Sequence, residues 1–240
     1  MSDGALRIAA LYPDLLNIYA DRGNLLMLER RCAWRGIGFE LTRSTIGDEL
    51  DPDAHDLLYL GGGQDRDQQL CAVDLTTVKQ DAVHAHAARG GAILAVCGGY
   101  QLLGHHYALE PGVTLPGVGL LDLHTERGEG RLIGNVAIEV DGRTLAGFEN
   151  HGGRTILGPG QEPLGRVLAG HGNTGSSGFE GARTGNVVGT YLHGPLLPKN
   201  AWFADELIAS ALGVDAADLP PLDDRLEDAA HASARHAAGV

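Results

Sequence analysis

The sequence predicts an α/β fold, a mostly parallel central sheet with helices on both faces and added antiparallel strands. Three observations carry that prediction. Strand-like and helix-like runs alternate from Leu6 to Val96, two of the strands end in glycine-rich corners, and beyond Leu115 the chain turns Gly-rich with short β-like runs. A βαβ succession is the connection that parallel pairing requires, and it leaves the strand C-termini as the ligand edge.

Leu6 to Tyr12 reads as the first strand, broken by Pro13-Asp14. Asn24 to Arg35 reads as a helix with Leu25, Leu28 and Cys32 on one stripe, stopped by Gly36-Ile37-Gly38. Phe39 to Arg43 is the second strand, and Asp56 to Leu60 the third, ending in Gly61-Gly62-Gly63-Gln64-Asp65. A helix from Val73 to Ala88 leads to the fourth strand, Ala92 to Val96. In the second half, Asn135 to Val140 and Asn186 to Tyr191 are strand-like, and Ala201 to Leu212 is a helix following Pro198. The expected organisation is one domain over residues 1–213, with 214–240 as a C-terminal extension, helical and peripheral, in which no chemistry is legible.

With 18 basic and 31 acidic residues among 240, the net charge is −13. That balance disfavours a nucleic-acid partner, which clustered Lys and Arg would recognise. No apolar run is long enough to span a bilayer, and Met1-Ser2-Asp3-Gly4 lacks a secretory start, so a cytoplasmic location without membrane insertion is expected. Cys32, Cys71 and Cys97 have no CxxC spacing, which points to neither a disulfide framework nor a zinc site. Glu149 and His151 lack a third ligand at suitable spacing, so no metal site is expected.

The stretch Ala92 to Gly104 is the most informative: a buried strand runs into Cys97, and Gly98-Gly99 permit a tight corner before a helical pattern. A thiol there meets a helix N-terminus, which favours the thiolate. Such a nucleophile needs a base, and 11 histidines compete. His193 stands out because Val187 to Leu192 delivers it to the end of a strand at Gly194-Pro195; His151 is the second candidate. Cys32 reads as a core residue, Cys71 as a loop or helix-edge thiol, and Asp14 and Asp21 as residues that cap or begin the first helix. Gly61 to Gly63 is no P-loop, since no Lys-Ser/Thr follows.

Cys97-Gly98-Gly99-Tyr100-Gln101 resembles the Cys-x-Gly-x-Gln motif of class I (triad) glutamine amidotransferases, with His193 resembling their base and Gly61 to Gln64 their oxyanion loop. Tyr12-Pro13-Asp14, Asn17-Ile18-Tyr19, Asp21-Arg22-Gly23-Asn24, Gly147 to Gly153 and Tyr191 to Asn200 narrow the likeness. They are similar to the glutaminase subunits of lipid II isoglutaminyl synthase, in the cobyric-acid-synthase-like branch.

The resemblance covers Leu6 to Leu212 and implies a flavodoxin-like class I amidotransferase domain that hydrolyses L-glutamine to glutamate and ammonia. Cys97 and His193 are then catalytic, Gly62 and Gly98 supply oxyanion donors, Gln101 helps recognise glutamine, and Arg127 pairs with its α-carboxylate. It further implies a heterodimer with a MurT-like Mur ligase that binds ATP and Mg and amidates the D-glutamate α-carboxylate of lipid II; this chain itself needs no cofactor. Many family members carry a glutamate two residues after the histidine, where this chain has Pro195. The resemblance therefore assigns the orienting carboxylate to an aspartate of the partner, so that activity would rise on assembly. Two other readings stay open: ammonia delivery to another acceptor such as a cobyrinic-acid-type carboxylate, and a non-catalytic binding module on the same fold.

Overall fold

The computed structural model describes residues 4–18 and 21–240; Met1, Ser2, Asp3 and Tyr19, which entered the sequence reading, lie outside the described residues. The first half builds a sheet from β1 (Ala5–Leu11), β2 (Gly38–Ser44), β3 (Leu57–Leu60) and β4 (Ala92–Val96). It is completed by β11 (Ala182–Thr184) and β12 (Val187–Thr190), in the order β11-β12-β4-β3-β1-β2. All its pairings are parallel except that of β11 with β12. Every residue of β3, β4 and β12 is buried, as strands covered on both faces must be.

A second sheet has the order β10-β9-β7-β5-β6, with β8 paired to β7. Its strands are β5 (His106–Glu110), β6 (Val113–Pro116), β7 (Leu123–Val140), β8 (Arg143–Leu157), β9 (Gly165–Ala169) and β10 (Phe179–Glu180). The strand expected over Asn135 to Val140 is the end of the 18-residue β7, which turns at Asp141-Gly142 into β8. Both turn residues have positive φ, 50° and 76°, the backbone that a two-residue hairpin turn requires. The two sheets meet where Phe148 and His193 pair as an isolated antiparallel bridge.

Helix α1 (Arg22–Trp34) buries Leu25, Leu28 and Cys32, the stripe read from the sequence. The helix expected from Val73 begins at Asp65 instead: α2 (Asp65–Asp74) runs through a π-turn, Leu75–Lys79, into α3 (Gln80–Ala88). Asp65 and Asp67 suit its first turn, where the backbone N–H groups favour negative charge. The π-turn coincides with a buried ion pair, Lys79 Nζ to Asp74 Oδ2 at 2.5 Å. Tyr12 Oη also donates to Asp74 at 2.7 Å, and Thr45 O accepts from Lys79 at 2.9 Å. Cys71, expected at a loop or helix edge, is wholly buried in α2.

The remaining helices are α4 (Gly98–Leu103), α5 (Leu196–Lys199), α6 (Ala201–Leu212) and α7 (Arg225–Ala238). No residue of α7 is buried, yet the segment is tied down. The fully buried Arg31 guanidinium grips Asp205 of α6 and Asp224, the residue before α7, each through two hydrogen bonds of 2.5–2.8 Å. Arg35 adds a bond to Asp205 and one to Pro220 O. Among the described residues, no helix is long and apolar enough to cross a membrane.

Candidate active site

The C-terminal ends of β3, β4 and β12 converge, because parallel strands direct all their ends to one edge. β4 delivers Cys97, whose φ of 49° is a strained conformation for a residue with a side chain. The strain is held from several sides. Cys97 N donates to Thr190 O at 2.8 Å, Gln101 N to Cys97 O at 3.0 Å and Gly99 N to Gly61 O at 3.1 Å. A Cβ on Gly99 would lie 2.6 Å from Leu60 Cβ, so the corner closes only with glycine there. Cys97 is 6% exposed and lines a cleft of about 460 Å³ with Gly63, Arg66, Gln101, Tyr107 and Arg131.

β12 leads on to His193, fixed at both backbone atoms: its N–H donates to Phe148 O at 2.7 Å and its carbonyl accepts from Phe148 N at 3.1 Å. The ring is wholly buried, near enough to Cys97 to feel its charge, and Nδ1 lies 3.2 Å from Asp21 Oδ1. Burial alone pulls an imidazole's pKa down. The charge on the Cys97 sulfur and the hydrogen bonds with Asp21 and Cys97 outweigh it, so His193 is held up at about 10. The structure thus brings Cys97 and His193 together across the sheet edge. Burial pushes the thiols of Cys32 and Cys71 up, to about 11 and about 12.

Three expectations change. Gly62 N–H, expected as an oxyanion donor, is taken by Asp21 Oδ2 at 2.7 Å. Gly63 lines the cleft, and Gly98 opens α4 beside Cys97, where a first-turn N–H has no partner within its own helix. Gln101 lines the cleft, but its amide is engaged: Oε1 accepts from Gln68 Nε2 at 2.8 Å and Nε2 donates to Tyr191 Oη at 3.0 Å. Arg127 is exposed and borders a separate hollow beside Glu110 and Gly112, outside the residues that line the Cys97 cleft. The reason is a β-bulge. Arg127 pairs with Gly153 and Leu132 with His151, so residues 128–131 stand opposite Gly152 alone and Arg131, not Arg127, is turned to the cleft.

Sequence reasoning missed two residues. Arg131 Nε and Nη2 donate to Asn150 Oδ1 and O, both at 2.7 Å, which aims the planar guanidinium; among the described residues Nη1 makes no hydrogen bond. Asp21, read as a cap, is fully buried beside His193. Asp14, by contrast, is an exposed partner of Arg43. His151 lines the cleft with its ring stacked on Tyr191 at 3.6 Å and Nδ1 against Gly153 O at 2.8 Å. Its Nε2 is 3.7 Å from Glu149, whose carboxylate accepts from His171 N and Gly172 N. Among the described residues no three His, Cys, Asp or Glu side chains are grouped to hold a metal ion.

Residues 7–201 match the profile of the CobB/CobQ-like glutamine amidotransferase domain. The chain is 39% identical over 210 residues to the lipid II isoglutaminyl synthase (glutamine-hydrolyzing) subunit GatD of Streptococcus pneumoniae, covering 86% of this chain and 80% of that one. It is 40% identical over 207 residues to the GatD subunit of Staphylococcus aureus, covering 86% of this chain and 84% of that one. Among solved structures, PurLQS from Thermotoga maritima superposes with a TM-score of 0.59 at 19% identity, over 87% of this chain and 96% of that one, a likeness of fold.

Proposed function

Because the chain belongs to the CobB/CobQ-like glutamine amidotransferase family, we propose that it is the glutaminase subunit of a lipid II isoglutaminyl synthase. It hydrolyses L-glutamine and hands the ammonia to a ligase subunit. The observation that supports this most directly is a cysteine on a strained strand-to-helix corner with a buried histidine brought beside it at the same sheet edge. Cys97 Sγ attacks the side-chain amide carbon of glutamine, and the C–N bond breaks as protonated His193 gives its proton to the departing ammonia. Water, deprotonated by His193, then cleaves the γ-glutamyl thioester, releasing glutamate and the thiolate.

Charge that develops on the amide oxygen needs donors already in place, and the N–H groups of Gly63 at the cleft and of Gly98 next to the nucleophile are suited to that role. Arg131, turned to the cleft by the bulge and anchored on Asn150, has the planar donor set that suits an α-carboxylate. Gln101, tied to Gln68 and Tyr191, supports the wall behind the nucleophile.

The ammonia acceptor is the α-carboxylate of D-glutamate in lipid II, activated by a MurT-like ligase that holds ATP and Mg. The glycine loop after β3 lacks the Lys-Ser/Thr of a nucleotide-binding P-loop, which supports that division of labour. Reconstitution with lipid II, ATP, glutamine and a MurT-like ligase tests the whole reading. Amidated lipid II that requires this chain, and is lost with Cys97→Ala, is the expected result. Glutamine hydrolysis that survives Cys97→Ala would overturn it.

A further inference from the structure

Gln68, the fourth residue of α2, is 2% exposed and lines the Cys97 cleft. The proposed reaction gives it no role toward glutamine. A buried side-chain amide ordinarily has all its polar atoms matched, and here the matching is one-sided. Nε2 donates to Gly98 O at 3.2 Å and to Gln101 Oε1 at 2.8 Å, which commits both of its protons. The orientation is forced: a backbone carbonyl can only accept, so the atom that faces Gly98 O is the nitrogen. The choice passes on to Gln101, whose oxygen must then face Gln68 and whose nitrogen donates to Tyr191 Oη at 3.0 Å. Thr155 Oγ1, 2.6 Å from Tyr191 Oη, and Thr125 Oγ1, 2.9 Å from that of Thr155, tie the series to β8 and β7. The Gln68 amide cannot turn over without breaking these contacts. What is left is its Oε1, which meets no donor among the described residues and is not sealed away from the cleft.

Its place in the cleft decides what such an acceptor meets. A Cβ on Gly98 would lie 3.0 Å from Gln68 Cδ and 3.0 Å from Gly63 N, so the Gln68 amide packs on the residue that follows the nucleophile, close to both glycines that suit the oxyanion. Glutamine carries N–H groups at two places, its α-ammonium and its carboxamide. In the proposed reaction the α-carboxylate goes to Arg131 on the β7 wall, whereas the carboxamide must reach Cys97 for its carbon to be attacked. We propose that Gln68 is a specificity-determining residue: its Oε1 accepts an N–H of the substrate's carboxamide while the carboxamide oxygen takes the N–H groups of Gly63 and Gly98. A fixed acceptor for one half of the amide and fixed donors for the other distinguish glutamine from glutamate, whose second oxygen would be set against Oε1. The same repulsion falls on the product once the thioester is hydrolysed and favours its release. The inference rests on the glutaminase reading above.

L-Glutamate γ-methyl ester tests this, because it presents the same acyl group to Cys97 with no N–H on the leaving group. The chain, assembled with a MurT-like ligase, is assayed for kcat/KM on glutamine and on the ester, as wild type and as Gln68→Met. Methionine keeps the length of the side chain and removes the amide. Loss of the bonds to Gly98 and Gln101 lowers both rates together, whereas loss of the substrate contact lowers only that for glutamine. Expected is a fall of about tenfold in the glutamine-to-ester ratio of kcat/KM, the size of one buried hydrogen bond. An unchanged ratio would overturn the proposal and leave Gln68 to shape the corner alone. Should Gln68→Met fail to fold, Cys97→Ala decides, since it binds either compound without turnover. The Gln68 Cδ resonance, followed by NMR, should move further with glutamine than with the ester, and equal shifts would overturn the proposal. The glutaminase reading fails separately, if Cys97→Ala still hydrolyses glutamine.

Discussion

The two sheets contribute differently to the cleft at Cys97. The parallel sheet is buried on both faces and brings Cys97, His193 and the Gly61–Gly63 loop to one edge, fixed by backbone bonds between neighbouring strands. The antiparallel sheet, through the β7–β8 hairpin, raises the wall that carries Arg131 and His151. Their stabilising charges differ too. The parallel half encloses Lys79 with Asp74, whereas the pair Arg166–Glu139 of the other half lies exposed. In the proposed reaction one sheet fixes the reacting atoms, and the other lines the cleft that faces them.

Replacing Cys97 with alanine tests the reactive edge most severely. Glutamine hydrolysis is expected to fall by about 10⁴-fold or more, measured as glutamate released, with the fold intact by circular dichroism. Next in size, Lys79→Met strands the buried Asp74 carboxylate and should cost about 3–5 kcal/mol in urea unfolding, while Arg166→Ala at an exposed pair should cost below about 1 kcal/mol. Equal costs would erase the contrast between the two halves. On the wall, Arg131→Met is expected to raise the KM for glutamine by about 10–100-fold with kcat nearly kept, and Arg127→Met to change neither appreciably. A reversal of those two arginines would mean that the bulge does not set which one meets the substrate.

A further effect concerns the seam between the sheets. Glu180 of β10 reaches the end of β12, accepting from Tyr191 N at 2.6 Å and Thr190 Oγ1 at 2.9 Å. Burial raises its carboxyl to about 8 despite those donors. A carboxyl raised in the folded state contributes stability that is complete below its unfolded value near 4.5 and is lost as pH rises through about 8. The urea midpoint of the wild type should therefore decline across that window, and Glu180→Gln should flatten the decline. A variant as pH-sensitive as the wild type would assign the effect elsewhere.

Much of the reactive edge was legible because its signals are local. The apolar run of β4, the glycines after Cys97 and the strand before His193 are each contained in a few consecutive residues. Asp21 was not legible, because its contact with His193 spans 172 positions and its place at the head of a helix offers an ordinary explanation. Arg131 was obscured by the bulge: pattern alone does not show that residues 128–131 face a single residue of the opposite strand. Two signals were present and unused. Asp141-Gly142 marks a hairpin turn, and Gln64-Asp65 after the glycines marks the true start of α2.

The knot around Arg31 reaches beyond this molecule to its lineage. Two carboxylates, one contributed by the segment before the last helix, surround a cation that no water touches. Loss of that segment alone would leave the cation short of a counterion, a change selection would rarely tolerate. Shortened homologues that stop before the equivalent of Asp224 should therefore have an uncharged residue where Arg31 stands, so that the tail and the first helix are inherited together.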